Sequence, residues 1–342
     1  MSTLYRNSKQ IILIATGFLT LISSSHADIK VVAAENFYAN VASLIGGDYV
    51  KTNSIINNPD ADPHLFTTSA STAVAINDAQ VIIYNGADYD PWMKQLLNAQ
   101  SSNNKVAIID VATLMNAKSG DNPHLWYNPA TFPALAKKLT EVFSQIEPEH
   151  KKTFDLNYQT FDKRYQTVYS QINDIKSRFA GTKVTATEPV FGYMADALGL
   201  TMLGQKFQWT VMNDAEASPK MLADYQNLFK KRTVKVLFYN QQVHDNVTEN
   251  ILNLAKDNNI PYVGVSETMP QNDNVITWLK ANLSDTQKAL EQATATEHNS
   301  SKPSTVKATP QVSSDTAKAS AKEVKETKET VKEDNPLTNL QQ

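Results

Sequence analysis

Two short stretches of the sequence place a histidine between a proline and a leucine. Residues 60–66 read DADPHLF, and residues 121–129 read DNPHLWYNP. The chain has six histidines, so two of them stand in matching contexts. The preceding proline restricts the backbone, which lowers the entropic cost of ordering each imidazole for metal binding. A single such histidine is ordinarily a hydrogen-bonded loop residue, but the doubled pattern predicts that His64 and His124 bind one metal ion.

Two glutamates end apolar segments in the second half of the chain. Glu188 ends VTATE, and Glu267 ends VGVSE. A carboxylate at a strand end is often a helix-capping or solvated group, so neither residue is decisive alone. With two imidazoles they form a set of two nitrogen and two oxygen donors, which suits Zn, Mn or Fe. We therefore predict one bound divalent transition-metal ion, Zn²⁺ or Mn²⁺, with Fe left open.

Short apolar strands and amphipathic helices alternate along the chain in two series. This alternation predicts an α/β fold of two lobes, each with a mostly parallel β-sheet flanked by helices. Loops at the carboxyl ends of parallel strands line the crevice where ligands bind. His64 follows the second predicted strand and His124 the fourth, so we expect the metal in the cleft between the lobes.

A run of about 30 residues without glycine or proline joins the two series. Its apolar residues recur at spacings of three and four from Phe154 to Phe179, which predicts one continuous helix about 45 Å long. A coiled-coil dimer has a similar stripe, but the apolar residues here are largely aromatic. This composition favours a backbone helix packed against its own lobes, and hence a monomer.

The two ends of the chain differ from the part between them. A positively charged start and an apolar segment shorter than the roughly 20 residues of a membrane span predict a cleaved signal peptide. The chain contains no cysteine, so we expect a periplasmic protein without a lipobox cysteine. The expected organisation is a signal peptide at 1–27, a first lobe at 28–147, the linking helix at 148–180, a second lobe at 181–293 and a disordered low-complexity tail at 294–342.

Composition and motifs exclude some classes of function. A net charge of −3 and an isoelectric point near 6.1 leave no basic surplus for a phosphate backbone, which argues against nucleic acid as a partner. A metal-dependent hydrolase is one alternative, but the sequence has no H-E-x-x-H motif, nucleophile elbow or glycine-rich phosphate loop. A surface adhesin on the same fold is another alternative, but adhesion would not explain the paired histidines.

The sequence resembles the zinc and manganese receptors of ABC importers, which are built from two lobes on one long helix. The resemblance covers residues 29 to about 290. It is carried by the segments AAENFYANVASLIGGDYV, DADPHLF, NGADYDPWM, NPHLWYNP, TEPVFGYMADALGL, MNDAEASPKML and NNIPYVGV. The resemblance implies a solute-binding protein, not an enzyme, that captures a divalent metal ion outside the cytoplasm and delivers it to a membrane permease.

The resemblance also assigns ligands. His64 and His124 match the two ligands of the first lobe, Glu188 the third ligand, and Glu267 the fourth, which is usually aspartate. The loop before His124 is short and not histidine-rich, which weakens an assignment to zinc alone. Asn36 and Tyr89 are expected to support the ligands, because a metal-binding histidine commonly donates its other ring N–H to a neighbour.

Overall fold

The computed structural model describes residues 28–60, 63–99 and 106–300. The predicted signal peptide and most of the predicted tail lie outside these ranges. The strands are β1 Ile29–Glu35, β2 Val50–Ile56, β3 Val81–Tyr84, β4 Ala107–Asp110, β5 Lys183–Ala186, β6 Thr201–Met202, β7 Val236–Asn240 and β8 Tyr262–Val265. The α-helices are α1 Asn36–Gly46, α2 Ala70–Asp78, α3 Pro91–Ala99, α4 Val111–Leu114, α5 Thr131–Ile146, α6 Lys151–Phe179, α7 Gly192–Ala197, α8 Gln205–Met212, α9 Pro219–Lys230, α10 Asn246–Asp257 and α11 Val275–Ser300.

The eight strands form two parallel sheets with the same topology. The first sheet has the order β2-β1-β3-β4, and the second has the order β6-β5-β7-β8. In each sheet the chain starts at an inner strand, moves to one edge and then crosses to the other side. The carboxyl ends of β1 and β3, and of β5 and β7, therefore flank a topological switch point, where open α/β sheets bind ligands.

The predicted linking helix is α6. It begins after a 3-10 helix at Pro148–His150, and its 29 residues span about 44 Å. It packs against α1 and α5 of the first lobe and against α11. The members of the predicted apolar stripe that become buried are Phe154, Phe161, Tyr165, Val168, Ile172, Ile175 and Phe179. The prediction of two parallel-sheet lobes joined by one long helix is confirmed.

Each sheet has two buried faces. In β1, Val31 and Ala33 join a large core that includes α6 and residues of both lobes, whereas Val32 packs with α2 and α3 on the opposite face. In β7, Phe238 joins the large core and Leu237 packs under α9 and α10. Because both faces of each sheet are buried, the sequences of the strands are nearly continuous apolar runs, as is typical of parallel sheets.

The last described helix, α11, returns to the first lobe. Trp278 of α11 stacks on Phe37 of α1 with ring centroids 5.8 Å apart. The helix continues to Ser300, whereas the tail was expected to begin at residue 294. Leu290, which follows the last aromatic residue of the chain, is buried in the large core. Among the described residues, no helix is long and apolar enough to cross a membrane.

Phe154 tests the role of the buried face of α6. Its side chain is fully buried and lies 5.7 Å from the ring of Phe143 in α5. We expect Phe154→Ala to lower the free energy of unfolding by about 3–5 kcal/mol, because it leaves a cavity in the core. The matched control is Leu156→Ala on the same helix, where the side chain is 60% exposed and the change should stay within about 0.5 kcal/mol. Equal losses in urea denaturation would contradict the packing of α6 described here.

Candidate metal centre

His124 lies in the loop that follows β4 and α4, directly before a 3-10 helix at Leu125–Tyr127. Its side chain is fully buried. Oδ1 of Asn122 is 2.6 Å from Nδ1 of His124, and Nδ2 of the same amide donates to the Pro189 carbonyl at 2.8 Å. The second contact fixes the amide orientation, so Nδ1 of His124 is the donor to Asn122. Nε2 therefore carries the lone pair that a proton or a metal ion can take up.

Glu267 faces this nitrogen from the second lobe. It lies two residues beyond β8, and its side chain is fully buried. Oε2 of Glu267 is 3.6 Å from Nε2 of His124. Two ligand atoms about 2.1 Å from one tetrahedral ion lie about 3.4 Å apart, so a single ion can bridge a pair at nearly this separation. The structure thus brings together two of the predicted ligands from opposite lobes.

Glu188 reaches the same edge of the second sheet from β5. It lies two residues beyond that strand and is buried. Asn240, the last residue of β7, joins it to Glu267: Nδ2 of Asn240 donates to Glu188 Oε2 at 2.9 Å and to Glu267 Oε1 at 2.7 Å. The two carboxylates therefore belong to one hydrogen-bonded group where β5, β7 and β8 end.

His64 lies in the 3-10 helix Pro63–Leu65, between β2 and α2. The backbone places the residue after the carboxyl end of β2, which pairs with β1. Phe66 packs on Trp92 of α3, with ring centroids 4.7 Å apart. The His64 side chain lies outside what the structure describes, so its role as a ligand stays a prediction.

Asn36 connects the first lobe to the segment that carries Glu267. It is the first residue of α1, and its amide donates to the Met269 carbonyl at 2.7 Å and accepts from the Met269 backbone N–H at 3.0 Å. Tyr127 adds a further link between the lobes, because its hydroxyl donates to the Ser266 carbonyl at 3.0 Å. Both contacts lie within two residues of Glu267 and hold its backbone against the first lobe.

Tyr89 contacts the centre directly. It is nearly fully buried, and its hydroxyl interacts with the carboxylate of Glu267. Burial, followed by the negative charges of Glu267 and Glu35, raises the pKa of Tyr89 well above its usual range. The hydroxyl therefore stays protonated and can donate to a carboxylate. Sequence reasoning anticipated Tyr89 as a supporting residue but missed Asn122, which holds the ring nitrogen of His124.

A pair of buried acids lies behind the centre in the first lobe. Glu35 ends β1 with no exposure, and burial followed by the charge of Asp90 raises its pKa well above the usual range. Asp90 accepts from the backbone N–H groups of Asn85 and Gly86 at 2.7 and 2.8 Å. Burial nevertheless raises the pKa of Asp90 to about 6. The side chain of Asn85 donates to the Pro123 carbonyl at 2.8 Å and so supports the loop before His124.

Other features of the described chain lie outside this centre. Glu147, Glu149 and His150 bring their ligand-type atoms within 4.8 Å of one another at the start of the linking helix. His150 there stacks on Tyr49 at 3.8 Å between ring centroids. A cavity of about 180 Å³ borders Tyr89 and Pro123 of the first lobe and residues of α8. Its lining thus includes the residue directly before His124.

Residues 31–289 match the family described as "Zinc-uptake complex component A periplasmic" (ZnuA), and the chain belongs to this family. It is 24% identical over 293 residues to the "Manganese ABC transporter substrate-binding lipoprotein PsaA" of Streptococcus pneumoniae. The aligned region covers 80% of this chain and 93% of the relative. The resemblance seen in the sequence, to metal-binding receptors of ABC importers, is confirmed. The family is one of substrate-binding transport proteins.

Solved structures share the fold. The periplasmic zinc binding protein TroA from Treponema pallidum matches with a TM-score of 0.65 and 16% identity over 77% of this chain and 99% of that one. The laminin-binding adhesin Lmb from Streptococcus agalactiae matches with a TM-score of 0.64 and 21% identity over 77% and 99%. At these identities the likeness shows the fold alone.

Asp90 makes the stability of the metal-free protein depend on pH. Its pKa rises from 3.8 to about 6, so between these values the folded chain holds a proton that the unfolded chain has released. Stability should therefore fall as the pH rises from about 4 to about 6, by about 3 kcal/mol for a shift of roughly two units. We expect Asp90→Asn to be less stable than the parent at pH 4 and closer to it at pH 7.

The measurement is urea denaturation of both proteins in the presence of a chelator, at several pH values between 4 and 7. Asp90→Asn loses an acceptor for a backbone N–H at every pH, so the informative quantity is how the difference between the two free energies changes with pH. A difference that stays constant across the range would contradict the raised pKa of Asp90.

Proposed function

We propose that the protein captures one divalent transition-metal ion between its lobes and delivers it to the permease of an ABC importer. The ligands in this proposal are His64 and His124 from the first lobe and Glu188 and Glu267 from the second. The relatives support metal as the cargo, since the family description names zinc uptake and a similar relative is named as a manganese receptor.

The observation that carries the proposal is the pair formed by His124 and Glu267. Nε2 of the histidine and Oε2 of the glutamate come from opposite lobes to a separation of 3.6 Å, in side chains with no solvent exposure. Asn122 holds Nδ1 as the donor, so Nε2 faces the carboxylate as the atom that can take up a proton or a metal ion. Such an arrangement is stabilised by a cation, because burying a carboxylate away from an opposite charge is costly.

The full ligand set balances the charge of the cargo. Two ionised glutamates and two neutral imidazoles carry a charge of −2, which a divalent ion neutralises. Mixed nitrogen and oxygen donors suit Zn²⁺, Mn²⁺ and Fe²⁺. This donor set supports binding of a transition metal rather than Mg²⁺ or Ca²⁺, which prefer oxygen ligands alone.

The remaining parts of the proposal concern place and partners. We place the protein in the periplasm as a monomer, because residues 1–27 have the pattern of a signal peptide and the aromatic stripe of α6 is buried in its own chain. The receptor binds the metal without transforming it, so its partner is the membrane permease. The likeness to a laminin-binding adhesin rests on 21% identity and gives no second function.

Metal binding should stabilise the folded chain. After removal of metal with a chelator, isothermal titration with Zn²⁺ and with Mn²⁺ should show one ion per chain. At a free-ion concentration a hundred times the Kd, binding to the folded state alone adds about 2.7 kcal/mol of stability, which raises the melting temperature. His64→Ala and His124→Ala each remove a nitrogen ligand and should weaken binding by at least about a hundredfold.

His150→Ala is the matched control, because it removes an imidazole at the start of the linking helix. It should keep the affinity of the parent. Full affinity in His124→Ala together with lost affinity in His150→Ala would instead assign binding to the group formed by Glu147, Glu149 and His150. A parent protein whose titration and melting temperature respond to none of the ions would overturn the proposed function.

A further inference from the structure

Asn240 and Gln242 place two amide side chains at the end of β7, both with almost no solvent exposure. Oδ1 of Asn240 accepts the backbone N–H of Gln242 at 3.1 Å. This contact fixes the orientation of the Asn240 amide, because only the oxygen can accept this hydrogen. The NH₂ group of Asn240 therefore points towards Glu188 and Glu267.

This NH₂ group holds the two carboxylates close together. One hydrogen is donated to Oε2 of Glu188 at 2.9 Å, and the other to Oε1 of Glu267 at 2.7 Å. The two oxygens share one nitrogen, so they are at most about 5.6 Å apart, the sum of these two distances. Ionised carboxylates at this separation repel each other, and the repulsion is strong where water is excluded. The donor nitrogen between them offsets part of that repulsion.

The support of this amide comes from the second lobe alone. The backbone N–H of Asn240 donates at 3.1 Å to Oγ1 of Thr187, which follows β5. Gln242 accepts the backbone N–H of Glu267, which follows β8. These contacts link the ends of three neighbouring strands. They do not depend on where the first lobe lies, so the pair of carboxylates can stay assembled when the lobes part.

We infer that Asn240 is the positioning residue of the second lobe: it holds Glu188 and Glu267 together as a preformed half of the metal centre before an ion arrives. This inference rests on the proposed function, since it concerns the same centre. Asn240 acts through the two glutamates and does not itself bind the ion. A pair of ligands that is already assembled loses less freedom on binding. Removing such a partner of metal ligands typically weakens metal binding by roughly 10- to 100-fold.

The first experiment compares the parent protein with Asn240→Ala and the control Asn157→Ala. Asn157 likewise donates from its amide to a main-chain carbonyl, that of Ile45 at 2.9 Å, but it lies on the linking helix. The Kd for Zn²⁺ is measured by competition with a chromophoric chelator. It should rise at least about tenfold in Asn240→Ala and stay at the value of the parent in Asn157→Ala. An equal rise in both variants would show a general loss of structure and would overturn the specific role of Asn240.

A double-mutant cycle separates positioning from a purely structural role. Asn240→Ala is repeated in a chain that already carries Glu188→Ala. Without Glu188 there is no second carboxylate to hold and no repulsion to offset, so the same substitution should raise the Kd for Zn²⁺ only about threefold or less. A rise as large as in the parent would show that the two residues act independently, and the inference would be wrong.

Crystal structures of the parent protein test the inference without any substitution. The metal-free chain, prepared with a chelator, should keep both hydrogen bonds from Asn240, with N–O distances of about 2.7–3.2 Å. The carboxylates of Glu188 and Glu267 should superimpose on those of crystals soaked with Zn²⁺ when the second lobes are aligned. Carboxylates turned away from Asn240 in the metal-free crystal would overturn the inference. This comparison decides the question if Asn240→Ala does not fold.

Failure of the inference differs from failure of the proposed function. A parent protein that binds one ion per chain, with the same Kd in Asn240→Ala, would overturn the role of Asn240 and leave the metal receptor standing. A parent protein that binds neither Zn²⁺ nor Mn²⁺ would overturn both.

Discussion

The aromatic face of α6 packs against α1, α5 and α11 and belongs to a hydrophobic core that also includes residues of both sheets. Phe154 contacts Phe143 of α5 in the first lobe, and Arg178, near the other end of the helix, pairs with Glu291 of α11. Because the buried stripe is continuous, the helix sets the distance and angle between the two carboxyl edges. The hydrogen bonds that cross the junction, such as Asn36 with Met269, depend on that setting.

This rigid support allows charged groups to stay buried. Glu188 and Glu267 lie away from water, and the structure compensates each with a donor: Asn240 for both carboxylates and Tyr89 for Glu267. Glu35 in the first lobe is stabilised in a different way. Burial raises its pKa and favours the neutral form. With Glu35 neutral, the carboxylates of Glu188 and Glu267 supply negative charge at the junction. A cation is the ligand that such a field attracts.

The parts of this structure that a sequence reveals are those set by local pattern. The stripe of α6 and the alternation of strands and helices follow from periodicity. Glu188 and Glu267 were predicted as ligands because each ends an apolar strand, and the structure brings both to one edge of the second sheet. Asn240 ends β7 in the same way, so the same rule could have found it, but an amide is not a ligand type. Asn122 and Glu35 were missed because their partners come from distant segments that only the folded chain brings near. The continuation of α11 to Ser300 was missed because residues 294–300, TATEHNS, show no apolar period; they prolong a helix whose buried residues include Leu290 and Ala293.

Asn122 joins two tasks that are usually separate. Its carbonyl oxygen holds Nδ1 of His124, and its NH₂ group holds the Pro189 carbonyl, next to Glu188 in the other lobe. The same oxygen of Asn122 also accepts the backbone N–H of His124 at 3.1 Å, a contact within the first lobe. Parting the lobes would break the bond to Pro189 but leave this local contact in place. The first lobe would therefore keep the imidazole oriented, with Nδ1 as the donor, while the carboxylates of the second lobe move away from it.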